Sequence, residues 1–284
     1  MTDRSKIDYF TEENSVEAVN ARMGSDTDPR LAQIMASLVK HLHSFAKDVE
    51  LTQTEWDVAI DFMTKTGQMC NEHRQEFILL SDTLGLSMLV DAINNRRPTG
   101  ATENTVLGPF HVENAPEYPM GATITLQGGK EKCRFVGNVT DTDGAPIEGA
   151  KIDVWSDNEE GFYDVQQPDI QPMYNNRGVF HTGTDGAYEF IGIKPVSYPI
   201  PDDGPVGKML GHLGRHPNRP AHMHFIVSAP GYDTIVTHTF VSGDAYLTSD
   251  AVFGVKGTLV ASFEPQKAEA ANWVSQFDFV MTKD

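Results

Sequence analysis

With 284 residues, 39% of them hydrophobic and 22% charged, the chain is long enough for two domains, or for one all-β domain with an extension, and apolar enough for a real core. A net charge of −18 excludes nucleic acid as a partner, since most of such a surface repels a phosphate backbone. Two cysteines, Cys70 and Cys133, exclude a disulfide scaffold, and no apolar run is long enough for a membrane span or a signal peptide, so the chain reads as cytoplasmic.

From about Asp28 to Asn95 the apolar residues recur at helical spacing. Leu31, Ile34, Met35, Leu38, Leu42 and Phe45 fall on one stripe. Thr52, with Glu55 three residues on, is a capping-box pattern that leads into Trp56, Ile60 and Met63 on one face. A third helical segment runs through Phe77, Leu80, Leu84 and Met88 to Ile93, and Arg97-Pro98-Thr99-Gly100 ends it. This region reads as a small helical bundle packed on its neighbour.

After Gly108 the period changes to two. Strands are expected over Phe135–Thr140, Lys151–Trp155 and around Tyr188 and Phe190, separated by Asp-Gly turns at Gly144 and Gly186. Further strands are expected over Ala221–Val227, Thr234–Phe240 and Phe277–Met281. Short strands at regular spacing predict a β-sandwich, and with the helices an α+β chain. The prolines of Pro195–Pro205 forbid a central strand or a helix there, so this stretch is expected to be an ordered loop or edge.

The sharpest local feature is Arg219-Pro-Ala-His-Met-His224. Residues two apart on a strand project to the same face, so His222 and His224 can meet one metal ion while Met223 and Phe225 serve the core. The pair alone fits two ordinary core or surface histidines equally well. Tyr163 lies just past a strand end and Tyr198 in the proline-rich loop, and either one alone reads as a partly buried aromatic. Zinc is under-supplied by two histidines without cysteine, although His212 and His216 leave such a site open.

Several ordered motifs resemble those of the intradiol ring-cleavage dioxygenases, in the branch that includes catechol and hydroxyquinol 1,2-dioxygenases. They are Leu107-Gly-Pro-Phe-His, Ile152-Asp-Val-Trp with Tyr163, the run from Tyr198 through Pro199-Ile-Pro-Asp-Asp-Gly, Gly214-Arg-His-Pro-Asn-Arg-Pro-Ala-His-Met-His-Phe, and Ser249-Asp-Ala-Val-Phe-Gly-Val-Lys. The resemblance implies a helical dimerisation region over 1–103, a homodimer formed through its helices, and in some relatives a lipid in that interface. It implies a β-sandwich catalytic domain over 104–284 with one Fe(III) per chain, held by Tyr163, Tyr198, His222 and His224. Hard anionic oxygens suit a ferric ion, and two phenolates with one hydroxide balance its charge.

By the same resemblance, Tyr198 is the ligand displaced by substrate and then serves as a base, and Arg219 stabilises charge developing on the ring and oxygens. From residue type alone, Arg219 reads equally as a surface arginine in a salt bridge. His238, where catechol-cleaving relatives commonly carry Gln, and Leu79-Leu-Ser-Asp82 resemble the hydroxyquinol branch. Hydroxyquinol and O2 are thus the expected substrates, with 3-hydroxy-cis,cis-muconate or maleylacetate as product, in aromatic hydrocarbon catabolism. The expected pocket comprises Leu79, Asp82, Val106, Gly108, Pro109, Phe110, Ile200, Pro201, His238 and Val252. Asp82 would accept a hydrogen bond from the third hydroxyl, whereas residue type alone favours an N-cap for a helix beginning near Leu84. The competing readings are catechol or chlorocatechol cleavage, a zinc hydrolase, and a non-catalytic β-sandwich binding module.

Overall fold

The computed structural model describes residues 9–72, 74–267 and 270–284. Two compact units are present, one ending at Lys65 and the other beginning at Thr66. Residues 76–94 therefore group with the sheet-rich unit rather than with the amino-terminal helices.

The first unit contains α1 (Ser15–Asn20) and α2 (Pro29–Asp48), which pack on each other. Asp28 caps α2 by accepting from the Leu31 amide at 2.9 Å, and Pro29 occupies the first turn, where its missing N–H costs nothing. α3 (Gln53–Gln68) opens with the expected capping box: Glu55 Oε2 accepts from the Thr52 amide at 2.9 Å, and Thr52 Oγ1 accepts from the Glu55 amide at 3.3 Å. The stripe on α2 departs from expectation. No residue of α2 is buried, and Leu31, Leu38, Leu42 and Phe45 are each about half exposed, so packing within the chain does not account for it.

In the second unit the expected third helical segment divides into α4 (Glu76–Thr83) and α5 (Leu86–Asn94). The break is at Gly85, whose φ of 75° is open to glycine and strained for other residues. Gly85 is also the N-cap of α5 and offers no side-chain cap, so the alternative reading of Asp82 as a cap is not realised; Asp82 sits inside α4.

Two five-stranded sheets follow. Their strands in chain order are β1 (Lys132–Asp141), β2 (Lys151–Trp155), β3 (Arg177–His181) and β4 (Ala187–Ile193). After these come a short ribbon of β5 (Tyr198–Pro199) and β6 (Asn218–Arg219) flanking α6 (Pro205–His212), then β7 (His222–Ser228) and β8 (Ile235–Val241). β9 (Val260–Ala261), β10 (Phe263–Pro265), β11 (Trp273–Gln276) and β12 (Phe279–Met281) complete them. One sheet centres on β1, which pairs with β4 on one side and with β11 and β12 in succession on the other; β10 extends it. The step between β11 and β12 brings the Phe277 carbonyl so near Gly137 that a Cβ there would lie 1.8 Å from it. The other sheet runs β3-β2-β7-β8-β9.

Alternate side chains from both sheets meet in one core, as in a sandwich. Phe135, Val139 and Phe190 come from the first sheet; Ile152, Val154, Met223, Phe225 and Val227 come from the second. Met223 and Phe225 are thus in the core as expected, and His222 and His224 are left on the outer face of the second sheet. The loop holding Tyr198 is an edge ribbon, and the prolines resolve at Pro205, which opens α6 from the N-terminal turn.

Candidate metal centre

On the outer face of the second sheet, β7 presents His222 and His224, and the adjoining β8 places His238 directly opposite His224. All three imidazoles are buried and their ligand atoms lie within 4.8 Å of one another. Among the described residues this is the group of His, Cys, Asp and Glu placed to hold a metal. His212 is exposed at the end of α6, and His216 bonds Ser249 Oγ at 2.9 Å, so neither joins it.

Two loops bring the tyrosines over this face. Tyr163 caps a short 3-10 turn, its amide donating to Gln166 Oε1 at 2.9 Å, and Phe110 stacks on its ring at 4.7 Å. The next residue, Asp164, is buried and receives two hydrogen bonds from Arg177, at 2.8 and 2.6 Å. Tyr198 is paired through the ribbon with Arg219, so these two side chains start from opposite positions on one pair of strands. A Cβ on Gly161 would lie 2.8 Å from the Tyr198 Cβ, and glycine there lets the two loops close.

Four donor atoms converge. Tyr163 Oη lies 2.9 Å from His224 Nε2 and 3.2 Å from Tyr198 Oη, and Tyr198 Oη lies 3.2 Å from His222 Nε2. His222 Nδ1 donates to the Pro220 carbonyl at 2.7 Å, which leaves Nε2 as a lone pair facing the cluster. Arg219 Nη1 donates to that same Nε2 at 3.2 Å. Ligands about 2.0–2.1 Å from a common ion lie about 3 Å from their neighbours, which is the spacing found here. The residues therefore fit a metal ion with two phenol oxygens and two imidazole nitrogens.

The electrostatics agree. Burial, reinforced by the Arg219 charge, pushes His222 down to about 3, and burial with the neighbouring His238 pushes His224 well below its ordinary value. Both are neutral at ordinary pH. Burial raises both tyrosine hydroxyls; the Arg219 charge opposes this at each, and at Tyr198 it is the first opposing cause. A bound multivalent cation is what would ionise them.

The remaining expected residues fall into three groups. Phe110, Gly108 and His238 abut the cluster: a Cβ on Gly108, at φ 79°, would lie 2.9 Å from His224 Cε1. Leu79, Ile200 and Val252 pack together with Leu210 and Ala251 in a separate small cluster. Asp82 is raised by burial, opposed first by a hydrogen bond with Ser87 and then by the Arg219 charge, whereas Pro109 and Pro201 are exposed and Val106 acts through its backbone on His238. Arg219 itself is buried and paired with Asp250, not a surface arginine.

Sequence reasoning missed Trp155 as a site residue. Its ring stacks on His224 at 4.7 Å and 12°, and His111 is tilted against it at 4.7 Å. The register of β2 with β7 sets Trp155 opposite His224, a pairing that strand alternation alone does not reveal.

Comparison with known proteins agrees with this geometry. Residues 106–283 match the family described as Dioxygenase, and residues 28–102 match Catechol dioxygenase N terminus. The chain is similar to hydroxyquinol 1,2-dioxygenase of Rhizobium sp., 57% identical with 97% of each chain covered. It is also similar to 6-chlorohydroxyquinol 1,2-dioxygenase of Cupriavidus pinatubonensis, 50% identical over 96% of this chain and 98% of the relative. Among solved structures, hydroxyquinol 1,2-dioxygenase of Pseudomonas putida superposes with a TM-score of 0.90 at 47% identity, covering 96% of this chain and 97% of that one.

Proposed function

The chain belongs to the intradiol ring-cleavage dioxygenases, and from that premise we propose that it opens hydroxyquinol with O2 between its adjacent hydroxylated carbons, giving 3-hydroxy-cis,cis-muconate or its tautomer maleylacetate. The observation that carries this reading is the convergence of Tyr163, Tyr198, His222 and His224 on one point. These four would hold one Fe(III) per chain. When bound, the ferric ion supplies a Lewis acid that ionises the phenols and the substrate hydroxyls and makes the ring reactive towards O2.

The protein's own groups divide the rest of the work. Tyr163 is clamped by Phe110, Gln166 and the Asp164–Arg177 pair, so it stays fixed. Tyr198 is held on a two-residue ribbon opposite Arg219; its Oη takes the proton of a substrate hydroxyl as a general base. The Arg219 guanidinium faces the same cluster and stabilises negative charge as it develops on the opening ring, an interaction strengthened by burial. Phe110 and Trp155 cover the ligands with apolar rings and keep water from them.

The relatives named for hydroxyquinols favour that substrate over catechol. Asp82, half-buried within α4, is proposed to accept the hydrogen bond of the third hydroxyl. Asp82→Ala is expected to reduce the hydroxyquinol-to-catechol ratio of kcat/KM by roughly 10- to 100-fold, because a site built to bond a hydroxyl discriminates against its absence. Parallel O2-uptake assays measure this, and an unchanged ratio removes Asp82 from the account.

We also read the exposed stripe of α2 as the contact with a second copy of this chain. Each half-exposed leucine withdrawn from water contributes about 0.8–1.5 kcal/mol, half of what full burial gives, and several together help to hold a dimer. Leu38→Glu with Leu42→Glu is expected to convert a dimer to a monomer in sedimentation velocity. A parent that sediments as a monomer at micromolar concentration would overturn the assignment, and lipid recovered from the purified protein would mark lipid as a further occupant. No helix among the described residues is long and apolar enough to cross a membrane. The free Cys70 and Cys133 fit a reducing cytoplasm.

A further inference from the structure

We propose that Asp250 is a positioning residue for ring opening: it holds the Arg219 guanidinium against the ligand cluster and ties it to the 250–254 turn, which carries Val252. The inference rests on the role proposed above for Arg219.

Arg219 and Asp250 are both buried and meet at two points, Nε to Oδ1 at 3.2 Å and Nη2 to Oδ2 at 3.4 Å. Two-point pairing fixes the plane of a guanidinium as well as its position, which a single contact does not. The carboxylate is fixed in turn. Its Oδ1 accepts from the Val252 amide at 3.2 Å and its Oδ2 from the Gly254 amide at 2.9 Å, so each oxygen serves one backbone donor and one guanidinium donor. Arg219 then has Nη1 left over, and this atom faces His222 Nε2.

The turn is itself anchored and shaped to this pair. Arg215 donates to the Thr83 carbonyl at the end of α4 and to the Ala251 carbonyl, at 2.6 and 3.0 Å, and its guanidinium lies over the Phe253 ring. Phe253 has φ 59°, a left-handed conformation unfavourable for an aromatic residue, held by this packing. A Cβ on Gly254 would lie 2.9 Å from Arg219 Nη2 and 3.1 Å from Asp250 Oδ2. Glycine at 254 therefore leaves room for the guanidinium. Its φ lies outside the left-handed region, so alanine there is opposed by the Arg219–Asp250 pair and not by a left-handed backbone.

The test uses iron-loaded, full-length protein with hydroxyquinol, comparing Asp250→Asn, Gly254→Ala, Arg219→Met and the double variant Arg219→Met/Asp250→Asn. Rates are taken per bound iron, and visible absorption reports whether the phenolate ligands are in place. Asp250→Asn and Gly254→Ala are each expected to lower kcat roughly 10- to 100-fold while KM changes by less than about threefold, since a displaced catalytic group costs transition-state stabilisation. The double variant is expected to be no slower than Arg219→Met within about twofold, because Asp250 acts through the arginine. A merely structural role would lower Tm and iron content and leave kcat per iron unchanged, and that result, or losses that multiply in the double variant, overturns the proposal. If Asp250→Asn does not fold, Gly254→Ala decides, since it leaves both charges in place. If Arg219→Met keeps its kcat, the role of Arg219 fails and this proposal with it.

Discussion

His224→Ala and Tyr163→Phe are each expected to lower O2 uptake with hydroxyquinol by about 10³-fold or more. Lewis-acid stabilisation of developing charge contributes several kcal/mol, and each 1.36 kcal/mol is about a factor of ten in rate. The two substitutions remove different things. His224→Ala takes away a neutral nitrogen whose ring is sandwiched against Trp155, and it opens a void beside Gly108. Tyr163→Phe keeps the ring, its stack with Phe110 and its burial, and removes only the oxygen that lies 2.9 Å from His224 and 3.2 Å from Tyr198. Tyr163→Phe should therefore fold normally and lose part of its colour as well as rate, because one of the two phenolate–ferric absorptions depends on that oxygen. Full activity in Tyr163→Phe would show that the four-atom cluster is not the reaction centre.

The second large effect concerns stability. Arg177 is 1% exposed and paired with Asp164, also buried, the residue directly after Tyr163. Breaking a buried pair by removing one partner costs about 3–5 kcal/mol, since the other charge stays behind without compensation. For a unit of this size that is a Tm fall of roughly 6–20 °C in Arg177→Met. Asp164 Oδ2 also accepts from the Tyr174 amide at 2.8 Å, so the loop that carries Tyr163 should loosen with it. Adding Asp164→Asn to Arg177→Met removes the unpaired charge and keeps an acceptor for Tyr174, and is expected to restore part of the Tm. Calorimetry on the three variants checks this, and a double variant less stable than Arg177→Met would show that the pair does not act as a unit.

Strand alternation made His222 and His224 legible as one face of β7, and the same alternation put Met223 and Phe225 in the core. The tyrosines were legible only through motif resemblance. Tyr163 and Tyr198 meet across loops, and no local period reports which loops close over a sheet. The Arg177–Asp164 pair was hidden for a related reason: an arginine that begins a strand looks solvated until the partner is known. Helical spacing found the stripe of α2, but periodicity says that a face is apolar and not what covers it, so the expected burial within the chain did not hold. Gly85 was passed over because the apolar period continues on both sides of it, although its left-handed backbone divides one expected helix into two.

The measurement that bears most directly on the central claim is the fate of isotopically labelled O2 in the reaction of iron-loaded protein with hydroxyquinol, with catechol run in parallel. One O2 consumed per hydroxyquinol, both labelled atoms in a ring-opened dicarboxylic acid, and a higher kcat/KM than for catechol are the expected results. No uptake with either substrate despite bound iron, or a product bearing an aldehyde from cleavage beside the hydroxyl pair, would contradict the claim.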